Sequence, residues 1–173
     1  MININITKVL NKDIYQLQQI SRQTFDETFA AYNTAANMHK YLEEHFSAKI
    51  LIDEINNENS EFYFAYHNTH VVGYLKLNFG QAQTELQDTN AIEIERIYVL
   101  KEYHGKSIGQ LLYERVLQVA VQKGIKYIWL GVWEKNKRAI SFYKKNNFVE
   151  FDKHIFILGN DKQTDIMMKY QLE

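Results

Sequence analysis

The sequence predicts a mixed α/β fold with helices packed on a central sheet, and three observations lead there. Segments of two-residue alternation, or of aromatic and β-branched enrichment, interleave with segments whose apolar residues recur at helical spacing. Apolar residue types make up 46% of the 173 residues and aromatics 14%, with 12 Tyr and 10 Phe, enough to build one sizeable core. No internal repeat, low-complexity tract or linker interrupts the pattern, so residues 1–173 read as a single domain.

Each element has its own signal. Ile2, Ile4 and Ile6 alternate with polar neighbours and predict a first strand. From Asn11 or Lys12 onward, Ile14, Leu17, Ile20, Phe25 and Phe29 recur at near-helical spacing to about Tyr32, and residues 38–46 and 50–55 continue in the same manner. Two or three short helices therefore precede the sheet. Residues 61–67 and 71–79 are aromatic and β-branched around a turn at Asn68 and Thr69, which predicts a hairpin. Residues 81–90 are polar and read as a loop. A strong strand at 91–99 leads through a loop at 101–107 into an amphipathic helix at 108–122, and 127–132 form another short strand. A helix over 137–146 precedes strands at 148–157 and 164–170, which flank a turn at Gly159, Asn160 and Asp161.

Composition narrows the function classes. The chain has no Cys, which excludes a disulfide framework, a thiolate zinc site and an acyl-cysteine intermediate. His39, His45, His67, His70 and His154 form no metal-ligand pattern, so no metal is expected. The opening MININITKVL lacks a basic region followed by an apolar stretch, and no segment approaches the roughly 20 apolar residues of a membrane span. A cytoplasmic protein without a membrane partner is expected. The net charge of −1 argues against nucleic acid as a partner, although basic residues lie among Tyr and Trp in the later half.

The charge is unevenly placed. Residues 1–61 carry nine acidic and five basic side chains, whereas 101–145 carry ten basic and three acidic ones. An anionic ligand suits the later half.

The strongest chemical signal is IEIERIYV followed by LKEYHGKSIGQLL, a strand that passes through a glycine-containing loop into a helix start. Such a turn presents free backbone N–H groups and the positive end of a helix dipole, and can hold a pyrophosphate. Ser107 and Gln110 also form an S-x-x-Q capping box, which would satisfy two of the same amides without a ligand.

This segment resembles the acetyl-CoA motif of the GNAT superfamily, Q/R-x-x-G-x-G/A, laid on His104, Gly105, Lys106, Ser107, Ile108 and Gly109. WLGVWEKNKRAISFYKKNNF is similar to the family's second half, with an Asn three residues before an Ala and a Tyr leading to a "GF" ending. His104 stands where the family has Gln or Arg, Ser107 where it has Gly, and Asn147 where it has Gly.

The resemblance implies a mostly antiparallel central sheet with helices on both faces, splayed at its central parallel strands. It implies acetyl-CoA as co-substrate, held by Ile97, Tyr98 and Val99, by the loop and helix start from His104 to Gln110, and by Asn136, Ala139, Phe142, Tyr143 and Lys145. Backbone N–H groups of 97–99 would stabilise the developing oxyanion, Asn136 would meet the pantetheine arm, and Lys145 or Lys144 a CoA phosphate.

An alkylammonium with a pKa of about 10.4 must lose a proton before it can attack. The resemblance of ERIYV places Glu95 as the base, with Glu93 in reserve on the same strand face. It makes Tyr143 the acid that protonates the departing thiolate. Zero Cys favours direct transfer in a ternary complex.

FDETFAAYNTAANMHKYLEEHF, IEIERIYV and WLGVWEKN together resemble PaiA-type spermidine/spermine acetyltransferases. A polyamine is then the expected acceptor, met by Asp26, Glu27, Tyr32 and Glu93, with Glu43 or Glu44 adding charge. An acetyltransferase for a protein N-terminus, a lysine or an aminoglycoside-like amine keeps the same fold, and a non-catalytic CoA-binding regulator is the alternative from another class. The aromatic-rich strands near the C-terminus are a candidate homodimer surface.

Overall fold

In the computed structural model, which describes residues 2–172, the strands join into one seven-stranded sheet. In chain order they are β1 (Ile4–Lys8), β2 (Ser60–His67), β3 (His70–Phe79), β4 (Ala91–Val99), β5 (Tyr127–Trp133), β6 (Val149–Leu158) and β7 (Asp161–Gln171). Across the sheet they run β1-β2-β3-β4-β5-β7-β6. Every neighbouring pair is antiparallel except β4 and β5. The expected mixed, mostly antiparallel sheet is what forms.

The helices are α1 (Ile14–Phe29), α2 (Ala35–His45), α3 (Ala48–Asn56), α4 (Ile108–Gln122) and α5 (Lys137–Lys145). Three helices precede the main hairpin, because Thr34 and Ser47 interrupt the apolar run and their side chains accept from the Asn37 and Ile50 amides to start α2 and α3. One face of the sheet is covered by α1 to α3, where Leu17, Ile20, Phe25 and Phe29 pack with Phe62, Phe64 and Tyr74. The other is covered by α4, where Ile108, Leu112, Val116 and Val119 pack with Leu75, Leu77, Ile92 and Leu130. Two cores on opposite faces explain why β3 and β4 read as nearly continuous apolar runs rather than as clean alternations.

Two irregularities in β4 create the site. Its pairing with β5 covers only Ala91–Glu93 against Tyr127–Trp129, although β4 continues to Val99. Beyond Glu93 the two strands part, and the peptide groups on that edge of β4 have no strand to pair with. On its other edge the register with β3 slips: Lys76 pairs with Arg96 and Leu77 with Ile94, which leaves Glu95 as the extra residue of a bulge.

Candidate active site

Two adjoining cavities open where β4 and β5 diverge. The first, of about 520 Å³, is lined by Glu93, Glu95 and Arg96 of β4 and by Gly131 and Trp133 of β5. Phe25, Phe29, Tyr41 and His45 of the early helices wall it on one side, and His154, Phe156 and Asp165 of β6 and β7 on another. The second, of about 350 Å³, is lined by Ile97, Tyr98, Val99, His104, Asn136 and Arg138 together with Glu27 and Tyr32. Ile97, Tyr98, Trp133, Asn136 and Ala139 face both.

The charges separate between them. Carboxylates of Glu85, Glu93, Glu95 and Asp165 line the first cavity, while Lys101, Lys135, Lys137 and Arg138 line the second. The early helices supply almost none of the first cavity's negative charge, contrary to expectation. Asp26 lines neither cavity, Glu27 and Tyr32 line the second, Glu43 pairs with Arg22 at 2.6 Å and Glu44 with Lys40 at 3.9 Å. Helical periodicity buries the apolar stripe of α1 and α2 and leaves these acids on the outer faces.

Glu93 and Glu95 both face the first cavity, as their spacing requires, and both accept from the Asn78 side-chain amide, at 3.1 and 2.5 Å. Their environments differ sharply. Glu95 meets Lys76 Nζ at 2.6 Å and Arg96 at 2.9 Å, and both cations also pair with Glu54 of α3. Burial pushes the Glu95 carboxyl up, but Arg96 and Lys76 outweigh it and hold the group at about 2. Glu93 is 3% exposed and meets no cation among the described residues; burial raises its carboxyl above the ordinary 4.5, against hydrogen bonds from Thr84 Oγ1 at 2.5 Å and Thr84 N at 2.8 Å. Thr84 lies in the polar loop 81–90, which Gln83 anchors by accepting from Trp129 Nε1 at 2.6 Å.

Tyr143 projects from α5 into the first cavity and packs on Phe142 and Phe148. Its phenol has no hydrogen-bond partner among the described residues, and burial raises its pKa, so it is a proton carrier at neutral pH. Asn136 caps α5 by accepting from the Ala139 amide at 3.1 Å, which leaves its side-chain NH2 as a donor towards either cavity. Phe142 lines neither cavity and packs edge-on against Tyr113, and Lys145 is exposed outside both.

The loop before α4 is built for an anion. Ser107 precedes the helix in the left-handed region at φ 61°, and its side chain makes no capping bond. The S-x-x-Q box therefore does not form, because the left-handed backbone turns the hydroxyl away from the amides it would cap. Among the described residues no acceptor takes the amides of Gly105, Lys106, Ser107, Ile108 or Gly109, while those of Gln110 and Leu111 bond to the Ser107 carbonyl. Gly105, at φ 77°, and Gly109 have open space where a Cβ would stand. Five free donors at a helix N-terminus fit a pyrophosphate. His104 does not offer its Nε2 to a ligand: that nitrogen lies 2.8 Å from the Val99 carbonyl and ties the loop back to β4.

Sequence reasoning missed Asn78, Thr84, Glu85, His154 and Asp165. None belongs to a local motif, and only the sheet register and the fold of loop 81–90 bring Thr84, Glu85, His154 and Asp165 to the cavity and Asn78 to its two glutamates.

An open strand edge that runs from a buried carboxylate to an uncapped helix start, with a protonated phenol beside it, can hold a phosphate-bearing ligand next to groups able to take and give a proton. The chain belongs to the Acetyltransferase (GNAT) family, which its residues 14–148 match. It is 38% identical over 172 residues to an uncharacterized N-acetyltransferase of Lactobacillus delbrueckii subsp. lactis, covering 99% of both chains. It is 27% identical over 150 residues to the spermidine N(1)-acetyltransferase of Thermoplasma acidophilum, covering 84% of this chain and 88% of that one. Among solved structures it is similar to the PaiA N-acetyltransferase of Thermoplasma acidophilum in complex with coenzyme A, with a TM-score of 0.82 and 25% identity over 98% of this chain and 99% of that one. The protein is thus an N-acetyltransferase of the GNAT family.

Proposed function

We propose that the protein acetylates a primary amine of a polyamine such as spermidine, by direct attack in a ternary complex. The observation that carries this reading is the first cavity itself, an acidic, aromatic-walled space in which a cation-free buried carboxylate and a protonated phenol face the open edge of β4. The 27% identity to a spermidine acetyltransferase supports the same acceptor.

In this reading the second cavity takes the pantetheine arm and the amides of 105–109 hold the pyrophosphate. Glu93, rather than Glu95, accepts the proton of the acceptor ammonium, directly or through one water. Its raised carboxyl is the better base, because a group held at about 2 has little affinity for a proton at neutral pH. The amine nitrogen bonds to the acetyl carbon, open amides of β4 receive the charge that develops on oxygen, and Tyr143 gives its proton to the departing thiolate. Glu95 keeps Lys76 and Arg96 neutralised beside the base. The acidic lining draws the polycation in.

Thiol release from acetyl-CoA, measured with spermidine, spermine, a lysine peptide and an aminoglycoside, tests the reading. Spermidine or spermine should be the preferred acceptor. Tyr143→Phe and Glu93→Gln should each lose roughly 10²- to 10⁴-fold in kcat. Full activity in Glu93→Gln would move the base elsewhere, and preference for another amine would remove the polyamine while leaving the reaction. Acetyl-CoA binding with no acceptor turned over would favour a regulatory CoA-binding role.

A further inference from the structure

Across Gly131 from the proposed base lies a carboxylate that the reaction above does not use. Asp165 of β7 pairs in register with Trp133 of β5 and with His154 of β6, so the Asp165 and His154 side chains share the cavity face. Among the described residues its Oδ1, shut from solvent, accepts no hydrogen bond, and the one charged group near its Oδ2 is His154 Nε2, at 3.8 Å. His154 Nδ1 is likewise buried without a hydrogen bond, 4.0 Å from Glu85. Leaving a carboxylate oxygen without a donor is unfavourable, and Oδ2, at 3.8 Å from its neighbour, makes no hydrogen bond either, so a carboxylate that lines the cavity keeps unused acceptor capacity.

The surroundings say what the acceptor is for. A Cβ on residue 131 would stand 3.0 Å from His154 Cε1 and 3.4 Å from Asp165 Oδ2, so Gly131 keeps the floor clear between this carboxylate and β4. The nearby walls are apolar, from Phe29, Trp133, Ile155 and Phe156. Trp129 of β5 is level with Glu93, and Gly131, beside Asp165 Oδ2, is two residues or roughly 7 Å further along, so a short aliphatic diamine laid along β5 can run from one carboxylate to the other. No Lys or Arg side chain pairs with Asp165 among the described residues. Such a place accepts a cation with an aliphatic tether better than a neutral or anionic group.

We propose that Asp165, assisted by Glu85, is the specificity-determining cation site of the acceptor cavity, binding a second ammonium group while the first amine is acetylated at Glu93. It selects diamines and polyamines over monoamines of equal length. The inference rests on the reading that the first cavity takes the acceptor amine.

The test compares butylamine, putrescine and spermidine on the wild type, Asp165→Asn and Glu85→Gln, by thiol release and, in parallel, by calorimetric titration in the presence of CoA. Wild type should favour putrescine and spermidine over butylamine, and Asp165→Asn should lose that preference at least tenfold. Glu85→Gln should lose it about two- to threefold, since Glu85 is nearly half exposed and its pairing is screened. A preference that survives in Asp165→Asn overturns the inference. So does a loss shared equally by butylamine, which would mark a structural role, or a wild type without any preference. If no thiol is released but spermidine binds in an Asp165-dependent manner, the cation site stands and the acetyl-transfer reading falls.

Discussion

Ser107 is the residue at which this chain departs most expensively from the glycine pattern of its loop. A side chain in the left-handed region costs roughly 1 kcal/mol where glycine costs nothing. Ser107→Gly is expected to tighten acetyl-CoA binding and to raise thermal stability slightly, read by titration and melting; a weaker affinity would mean that the hydroxyl itself holds phosphate. Asn147, at φ 66° after α5, meets the same demand with the next most tolerant residue. At Glu93 and Glu95, neighbours set opposite proton affinities on carboxyl groups two residues apart. If Glu93 is the base, kcat/KM falls as pH drops through its carboxyl, at a pH above the 4.5 of an ordinary glutamate, and a limb near 2 would instead point to Glu95.

Strand β4 acts as the organising element, because its bulge and its early parting from β5 place Glu93, Glu95 and Arg96 in one cavity and free the edge beyond. The buried ionic cluster of Lys76, Arg96, Glu54 and Glu95 ties α3 to β3 and β4 at that bulge. Removing one member leaves uncompensated charge, so Lys76→Met should cost about 3–5 kcal/mol and lower the melting temperature by roughly 10 °C. A melting temperature within a degree or two of wild type would show that the cluster is dispensable. On β5 the opposite risk holds. Gly131→Ala should raise the acceptor KM several-fold with little effect on CoA affinity, because its methyl group meets His154 and Asp165.

For the molecule as a whole, the ionic cluster makes stability depend on acid. The Glu95 carboxyl is held below its ordinary 4.5, so its contribution is complete above that pH and is lost as pH falls from about 4.5 to about 2. That shift corresponds to about 3 kcal/mol, and Glu95→Gln should flatten the acid limb of a melting-temperature profile over this window. No helix among the described residues is long and apolar enough to cross a membrane. The division of charge was legible in the sequence as acidic and basic halves, yet the acids of the first cavity come from β4, β7 and loop 81–90 rather than from α1 and α2. Periodicity in the sequence determined the elements: α4 begins and ends where the apolar spacing requires, and β4 spans the predicted 91–99. Local chemistry also marked the glycine loop, and the family resemblance marked Tyr143 and the pair of glutamates, since each is written in contiguous residues. Only the tertiary structure decided which glutamate is free of cations, that Ser107 leaves its amides uncapped, and that Asp165 and His154 share the cavity with them. Burial and charge pairing depend on residues distant in the chain that meet only across a sheet, and no spacing along one strand encodes its neighbour's register.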